Sequence, residues 1–410
     1  MTNLKRDELE IIKSIQMLKT PTRQLISENV GLSVQKVSLV LKALAMKKII
    51  RNAGKSFSAS GRPSYVYEIN PKEMYTLGAS ISSHNITVVV TDATKKVIKT
   101  NFFEFSSEAL TSSNPTKLLD EIINPLKQAK AELKAMNRGP VAVGISLPGM
   151  IDTERRVWLS GLQLPGINNL DINTEICKRM DIPVYVEDNC RIISFYEKAE
   201  GHGKDLNNFV VLYLGIGVGA GIVINNEIYR GANGTAGEIG HIIHANNNYR
   251  CSCGNVGCLE TVTSHSGVIR VFQDRLSEGV YSLLQNDAKA GTLTLESILE
   301  AADKGDKLAR TTLFEIGQFI GDACTILINL FNPEKLFITG TLEVLKEYFE
   351  DAITLSLNRR VVPSILDHTN VQFTPYSAKN EAYGASLFAI SQYWDDLLEN
   401  GGHEVRSSCV

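Results

Sequence analysis

Apolar residues near the start of the chain recur at helical spacing. In "LEIIKSIQML" they fall at Ile11, Ile15 and Leu18, which predicts a first helix. "TPTRQLISENV" predicts a second, with Thr20 as its N-cap and Pro21 at the first helical position. After a turn at Gly31, "SVQKVSLVLKAL" predicts a third, capped by Ser33 and buried along Val37, Val40, Leu41 and Leu44. Two short helices around a glycine turn make the helix-turn-helix pattern. The next stretch, "IIRNAGKSFSASGRPSYVYEIN", alternates at Tyr65, Tyr67 and Ile69 and predicts two strands around a Gly/Ser-rich loop. Residues 1–71 are therefore expected to form a winged helix-turn-helix.

From about Tyr75 the pattern changes. "YTLGASIS", "ITVVVTD" and "VIKTNFFEF" predict three consecutive strands, and "NPTKLLDEIINPLKQAKAELKAM" predicts a helix interrupted by Pro125. "VAVGISLPGMID", "IPVYVEDN", "NFVVLYLGIGVGAGIVI" and "KLFITGT" read as further apolar strands with helices between several of them, an α/β architecture. Strand-ending glycine loops recur in both halves. That predicts two related lobes with a ligand cleft at the carboxyl ends of the strands. A small lobe is expected over 72–188, completed by the C-terminal helix 380–398, and a large lobe over 189–379. The last helix, "EAYGASLFAISQYWDDLLEN", has Tyr383, Leu387, Ile390 and Trp394 on one packing face; the tail 401–410 reads as disordered.

Length and composition narrow the function. At 410 residues, two or three domains are expected. No apolar run reaches the roughly 18–20 residues of a membrane span, and "MTNLKRDELE" lacks a signal-peptide core, so a cytoplasmic protein is expected. The net charge of −3 hides an asymmetry. Residues 1–70 carry twelve Lys/Arg against five Asp/Glu, net +7; the remainder carries 30 against 40, net −10. A basic head on an acidic body suggests a polyanion-binding module. The exposed face of the third helix offers Ser33, Gln35, Lys36, Ser38 and Lys42 to base edges and phosphates, and Arg62 in "GRP" is placed for a minor groove. Double-stranded DNA is the expected partner.

The stretch "CSCGNVGCLET", residues 251–261, places three of the chain's seven cysteines within eight positions. In a reducing compartment such a cluster points to metal, not disulfides. Cys251, Cys253 and Cys258 need one more ligand for a tetrahedral zinc site. Upstream, "GTAGEIGHIIHANNNYR" offers His241 and His244, and spacing alone does not choose between them.

These residues resemble a known signature. "GEIGH", nine residues, then "CSCGNVGCLE" is similar to the ROK family, which contains sugar kinases and sugar-responsive repressors. The resemblance extends to "LPGMID", "LYLGIGVGAGIVINNEIYRGANGTAGEIGH" and "INLFNPEKLFITG". It implies a two-lobed, actin-like (ribonuclease H-like) ATPase fold. It also implies one structural zinc per chain, with His241 as the fourth ligand. By the same resemblance Glu238, His241 and Glu260 contact sugar hydroxyls, with Asp188 and Asn189 as further hydrogen-bonding candidates. Carboxylates and a metal-oriented imidazole suit that chemistry.

The family's kinases use an aspartate base where this chain has Asn189, and a phosphate loop where it has Ser80-Ile81-Ser82-Ser83-His84-Asn85. "ITGTLE" retains one glycine, Gly340, and only "GIGVGAG" remains glycine-rich. No catalysis is therefore expected. With its fused head the chain looks like the branch of N-acetylglucosamine and xylose repressors. That implies an operator-binding homodimer, or dimer of dimers, released by a sugar or sugar phosphate between the lobes. A family sugar kinase is the alternative.

Overall fold

Thr22, not Thr20, caps the second helix, its hydroxyl accepting from the Leu25 N–H at 3.4 Å. Pro21 lies outside the helix. Its carbonyl accepts from the Tyr67 N–H at 3.0 Å, and Thr22 bridges Val66. Pairing with a distant strand thus holds these residues out of the helix. The computed structural model describes residues 4–57, 63–112, 114–152, 155, 157–161, 164, 166–244 and 248–400. Arg62, expected in the wing, and the tail 401–410 lie outside the described residues.

Helices α1 (Arg6–Met17), α2 (Arg23–Val30) and α3 (Val34–Met46) precede an antiparallel pair, β1 (Ile50–Phe57) and β2 (Pro63–Ile69). Ile11, Ile26, Val37, Leu41, Leu44 and Ile69 form the core of this head; Val40 is only half-buried. Gly31, at φ 69°, ends α2, and the Ser33 hydroxyl caps α3 by accepting from the Lys36 N–H. Helix α1 packs on the last helix, α15 (Ala378–Glu399). There the Trp394 indole N–H donates to Gln16 and Lys13 pairs with Asp395.

Contacts divide the chain into two units, Met1–Asp188 with the stretch from Ala378, and Asn189–Ser377. The first carries a sheet of β3 (Tyr75–Ile81), β4 (Asn85–Asp92), β5 (Val97–Glu104), β6 (Pro140–Leu147) and β10 (Val184–Asp188) in the order β10-β6-β3-β4-β5. Around it lie α4 (Ser107–Thr111), α5 (Pro115–Ala135), α6 (Ile172–Met180) and a small sheet of β7 (Met150–Asp152), β8 (Val157–Ser160) and β9 (Asn168–Leu170).

Helix α5 runs through Pro125 without the expected interruption. The proline costs about 3 kcal/mol of helix stability. Burying Leu118, Leu119, Ile122, Ile123, Leu126 and Leu133 returns roughly 1.5–3 kcal/mol each. The final helix buries more than one face: Ala385, Ser386, Phe388 and Ala389 are buried beside Leu387, Ile390 and Trp394.

The second unit has helices α7 (Asn189–Ala199), α8 (Glu260–Thr263), α9 (His265–Ser277), α10 (Gln285–Ala290), α11 (Leu295–Asp303), α12 (Lys307–Phe331), α13 (Lys346–Arg360) and α14 (Pro363–Leu366). Its sheet holds β11 (Phe209–Leu214), β12 (Val218–Ile224), β13 (Glu227–Ile228), β14 (Lys335–Thr339) and β15 (Asn370–Phe373) in the order β13-β12-β11-β14-β15. The long apolar run 208–224 is thus two strands, not one. It folds back at 215–217 and pairs Leu212 with Ala220.

Both sheets share one connectivity. Three antiparallel strands are extended by two parallel ones beside the first strand. Helix α12 is long and apolar enough by composition to cross a membrane, but most of its apolar side chains are buried in this unit's core, and it packs against α13.

Asp306 anchors α12. Its carboxylate accepts from the N–H groups of Ala309 (2.9 Å) and Leu283 (2.6 Å) and from the Ser282 hydroxyl (2.8 Å). Burial pushes the Asp306 carboxyl up, but these donors outweigh it and hold it below the ordinary carboxylate range. The folded value being depressed, its stabilisation is full above the unfolded value of about 3.9 and is lost as pH falls below that. Asp306→Ala is expected to cost about 1–3 kcal/mol at pH 7. In urea melts its deficit against the unaltered chain should shrink as the pH is taken below about 4.

Candidate functional site

Residues 237–241 lie directly on strand β12. Gly237, at φ +100°, has its carbonyl on the Ala220 N–H at 2.8 Å; a Cβ there would meet the Ala220 carbonyl at 1.9 Å. A Cβ on Gly240 would come within 2.2 Å of the Val218 carbonyl. Only glycine permits so close an approach. The seat leads into a 3₁₀ turn, Ile239–His241, which brings Glu238 and His241 together with Oε2 3.7 Å from Nε2.

The other ring nitrogen faces the thiols. His241 Nδ1 is 3.6 Å from Cys251 Sγ, and Cys253 Sγ is 3.6 Å from Cys258 Sγ. The donor atoms of His241, Cys251, Cys253 and Cys258 all lie within 4.8 Å of one another, a set able to hold a metal ion. Cys251 and Cys258 are buried and Cys253 is exposed. The loop between them closes on itself: Ile243 bridges Cys258, Arg250 bridges Val256, and the Cys251 N–H donates to Asn255 at 2.8 Å.

Burial pushes the Cys258 thiol up to about 12 and raises that of Cys251. At Cys253 burial acts the same way, but the Asn255 backbone and the neighbouring thiols outweigh it and lower the value. Thiolate ligation here would therefore draw on the binding energy of a cation.

Glu260 opens α8 immediately beyond the loop. One carboxylate oxygen accepts from the Val218 N–H at 3.0 Å, and the other is 4.0 Å from Cys251 Sγ. Burial raises its carboxyl above the ordinary carboxylate range, against the Val218 N–H and the His241 ring, which lower it. The structure thus brings Glu238, His241 and Glu260 around the thiol cluster. Two carboxylates and an imidazole at one place can receive and donate hydrogen bonds to a polyol.

His244 takes no part in the cluster. Its Nε2 is 3.4 Å from Asp322 Oδ2, and its ring lies against Phe319 at 4.5 Å.

The remaining expected residues lie on other elements. Asp188 ends β10 and is buried; Asn189 opens α7, with the Cys190 thiol 3.6 Å from its Oδ1. Asn189 is therefore helical and not part of an extended segment. On α3, Gln35 and Lys42 face solvent. The Ser33 hydroxyl is engaged as a cap, Lys36 pairs with Asp7 at 2.6 Å, and the Ser38 hydroxyl donates to the Val34 carbonyl at 2.7 Å. Leu39, 68% exposed on this helix, was not among the expected contacts. An apolar residue off the buried stripe was the available signal.

Known proteins give the same picture of the chain. The ROK family profile matches residues 76–392. The xylose repressor of Caldicellulosiruptor bescii is 26% identical over 354 residues, 86% of this chain and 88% of its own length. The crystal structure of a ROK family transcriptional regulator, a homologue of the Escherichia coli MLC protein, is similar with a TM-score of 0.78 at 25% identity, covering 97% of this chain and 98% of that one. A ROK family glucokinase from Streptomyces griseus, solved with glucose and AMPPNP, reaches a TM-score of 0.65 at 25% identity. It covers 99% of its own chain but 77% of this one. With its signature cluster in place and the family profile spanning most of its length, the chain belongs to the ROK family.

Proposed function

We propose that this chain is a sugar-responsive transcriptional repressor of carbohydrate uptake or catabolism genes. Its head binds operator DNA as part of a homodimer or dimer of dimers. A sugar or sugar phosphate held by Glu238, His241 and Glu260 releases it. The observation that carries this reading is the fused basic head. The family profile begins only at residue 76, and the residues before it include the +7 segment folded as three helices and a hairpin. The near-complete likeness to a xylose repressor and to a ROK transcriptional regulator supports it.

On α3, Gln35 and Lys42 are free to meet bases and phosphates, and Leu39 adds an apolar contact suited to a thymine methyl. Lys36 exchanges Asp7 for a phosphate on binding.

The cation at the thiol cluster is a structural zinc. A tetrahedral zinc, with Zn–S about 2.3 Å and Zn–N about 2.0–2.1 Å, separates neighbouring ligand atoms by roughly 3.5–3.8 Å. The Cys253–Cys258 and His241–Cys251 separations, both 3.6 Å, fit that spacing. Four protein donors fill the coordination shell, so the metal shapes the loop and does no chemistry. With Nδ1 turned to the thiols, His241 keeps Nε2 for the effector beside Glu238.

Phosphoryl transfer is not part of this function. Asn189 stands where the family's kinases carry their base, and an amide takes up no proton. The stretch aligned with the phosphate loop is a hairpin turn between β3 and β4. Its Ser82 hydroxyl oxygen already accepts from the N–H groups of His84 (3.2 Å) and Asn85 (3.1 Å), donors that phosphate binding needs. In "GIGVGAG", Gly221 has a packing reason: a Cβ there would lie 2.0 Å from Ser194 Oγ on α7.

Fluorescence anisotropy on DNA from upstream of the protein's own gene, followed by a panel of free and phosphorylated sugars, tests the whole reading. One sugar is expected to release the DNA. Glu238→Ala should retain DNA affinity and lose the release; a normal response in that variant would place the effector elsewhere. Absence of DNA binding at low salt would overturn the assignment of the head, and hexose-dependent ADP release would restore the kinase alternative. Cys253→Ser is expected to drop bound zinc to near nothing by elemental analysis and to lower the melting temperature. Unchanged metal content would rule out this ligand set.

A further inference from the structure

We propose that the second unit carries another binding site, for an uncharged polyhydroxyl ligand of sugar size, in a cavity of about 530 Å³ behind the thiol loop. It is lined by His244, Tyr249, Gln318, Phe319, Asp322 and Arg359, none of them in the effector site proposed above. Its volume falls within the range of small-molecule sites, roughly 300–1,000 Å³.

Two polar atoms of these lining residues, His244 Nδ1 and Asp322 Oδ1, are buried and have no hydrogen-bond partner among the described residues. Asp322 Oδ2 is already used by Arg360 at 2.6 Å and by His244 Nε2 at 3.4 Å. In the tautomer whose Nε2–H donates to that carboxylate, Nδ1 is an acceptor. Both orphan atoms therefore ask for donors, and a buried acceptor left unmet costs about 1–3 kcal/mol. Hydroxyl groups supply such donors.

Beside them the half-buried Phe319 ring offers an apolar platform for the C–H face of a sugar. The charges around the cavity are largely matched to one another. Arg275 pairs with Glu315, Arg360 with Asp322, and the Tyr249 hydroxyl donates to Asp274 at 2.5 Å. Arg359 and Glu278 are of opposite sign, and with three arginines against four carboxylates the lining is close to neutral, so it does not call for a strongly charged ligand. Nor does it suit a metal, because the Arg360 guanidinium already pairs with the Asp322 carboxylate beside His244.

The cavity is joined to the thiol loop through the backbone. The His244 N–H donates to Gly257 at 2.8 Å, and the Gly257 N–H donates to Tyr249 at 2.9 Å. Occupation would therefore brace the loop that carries Cys251 to Cys258.

The test uses the full-length, zinc-loaded chain carrying Glu238→Ala, which disables the proposed effector site. Saturation-transfer difference NMR is recorded with D-glucose, D-xylose, N-acetyl-D-glucosamine and sorbitol. At least one is expected to bind, and its affinity should fall at least tenfold when Phe319→Leu or Asp322→Asn is added, with zinc content unchanged. Phe319→Leu leaves every charge pair intact and decides the matter if Asp322→Asn fails to fold. Binding of none of the four, or binding that survives Phe319→Leu, overturns the proposal.

Discussion

The chemistry of the second unit depends on one close approach. Residues 237–241 can lie on β12 only because Gly237 and Gly240 have no Cβ to strike the carbonyls of Ala220 and Val218. The same strand reaches the other side of the site through the Val218 N–H, which holds the Glu260 carboxylate. One edge of β12 thus positions Glu238, His241 and Glu260 from two segments separated by an irregular loop. That loop has few apolar side chains of its own to bury, so its shape rests on its short bridges and on the donors that converge within it.

The two sheets repeat one connectivity, yet they carry different burdens. In the first unit the sheet is closed by α15, whose Ala385 and Ala389 are fully buried and whose Trp394 and Asp395 hold α1 of the head. In the second, glycines of a nucleotide-type motif serve packing: Gly221 admits α7 against β12. Helix–strand contact thereby gives this glycine a structural reason of its own. The same logic applies to the turn after β3, where a serine hydroxyl takes the backbone donors.

A repressor built this way obeys linkage. The proposed effector residues belong to the second unit and the head to the first, so release of DNA requires the effector to favour the state that binds DNA less well. Shifting an even balance tenfold takes about 1.4 kcal/mol of differential affinity. A few hydrogen bonds between hydroxyls and the proposed contacts Glu238, His241 and Glu260 would supply that scale of energy. A further ligand bracing the thiol loop from behind would act on the same residues without competing for them.

Much of this was legible in the residues alone, because it is written locally. Helical spacing marked α1 and α3, alternation marked the hairpin, and three thiols in eight positions marked a donor set that the fold gathers closely enough to hold a metal ion. The charge of the head followed from counting. Other features needed the folded chain, because they are set by partners far away in sequence. Thr22 displaced Thr20 as a cap since Pro21 pairs with Tyr67; the run 208–224 became two strands since its halves pair with each other. His241 and His244 are three residues apart and chemically alike, and the residues alone left both open. The glycine seat on β12 turns one imidazole to the thiols, while pairing with Gly257 helps turn the other to Asp322. Local sequence therefore determined which groups were present, and tertiary contact decided which of them meet, since their directions depend on backbone packing that no short window contains.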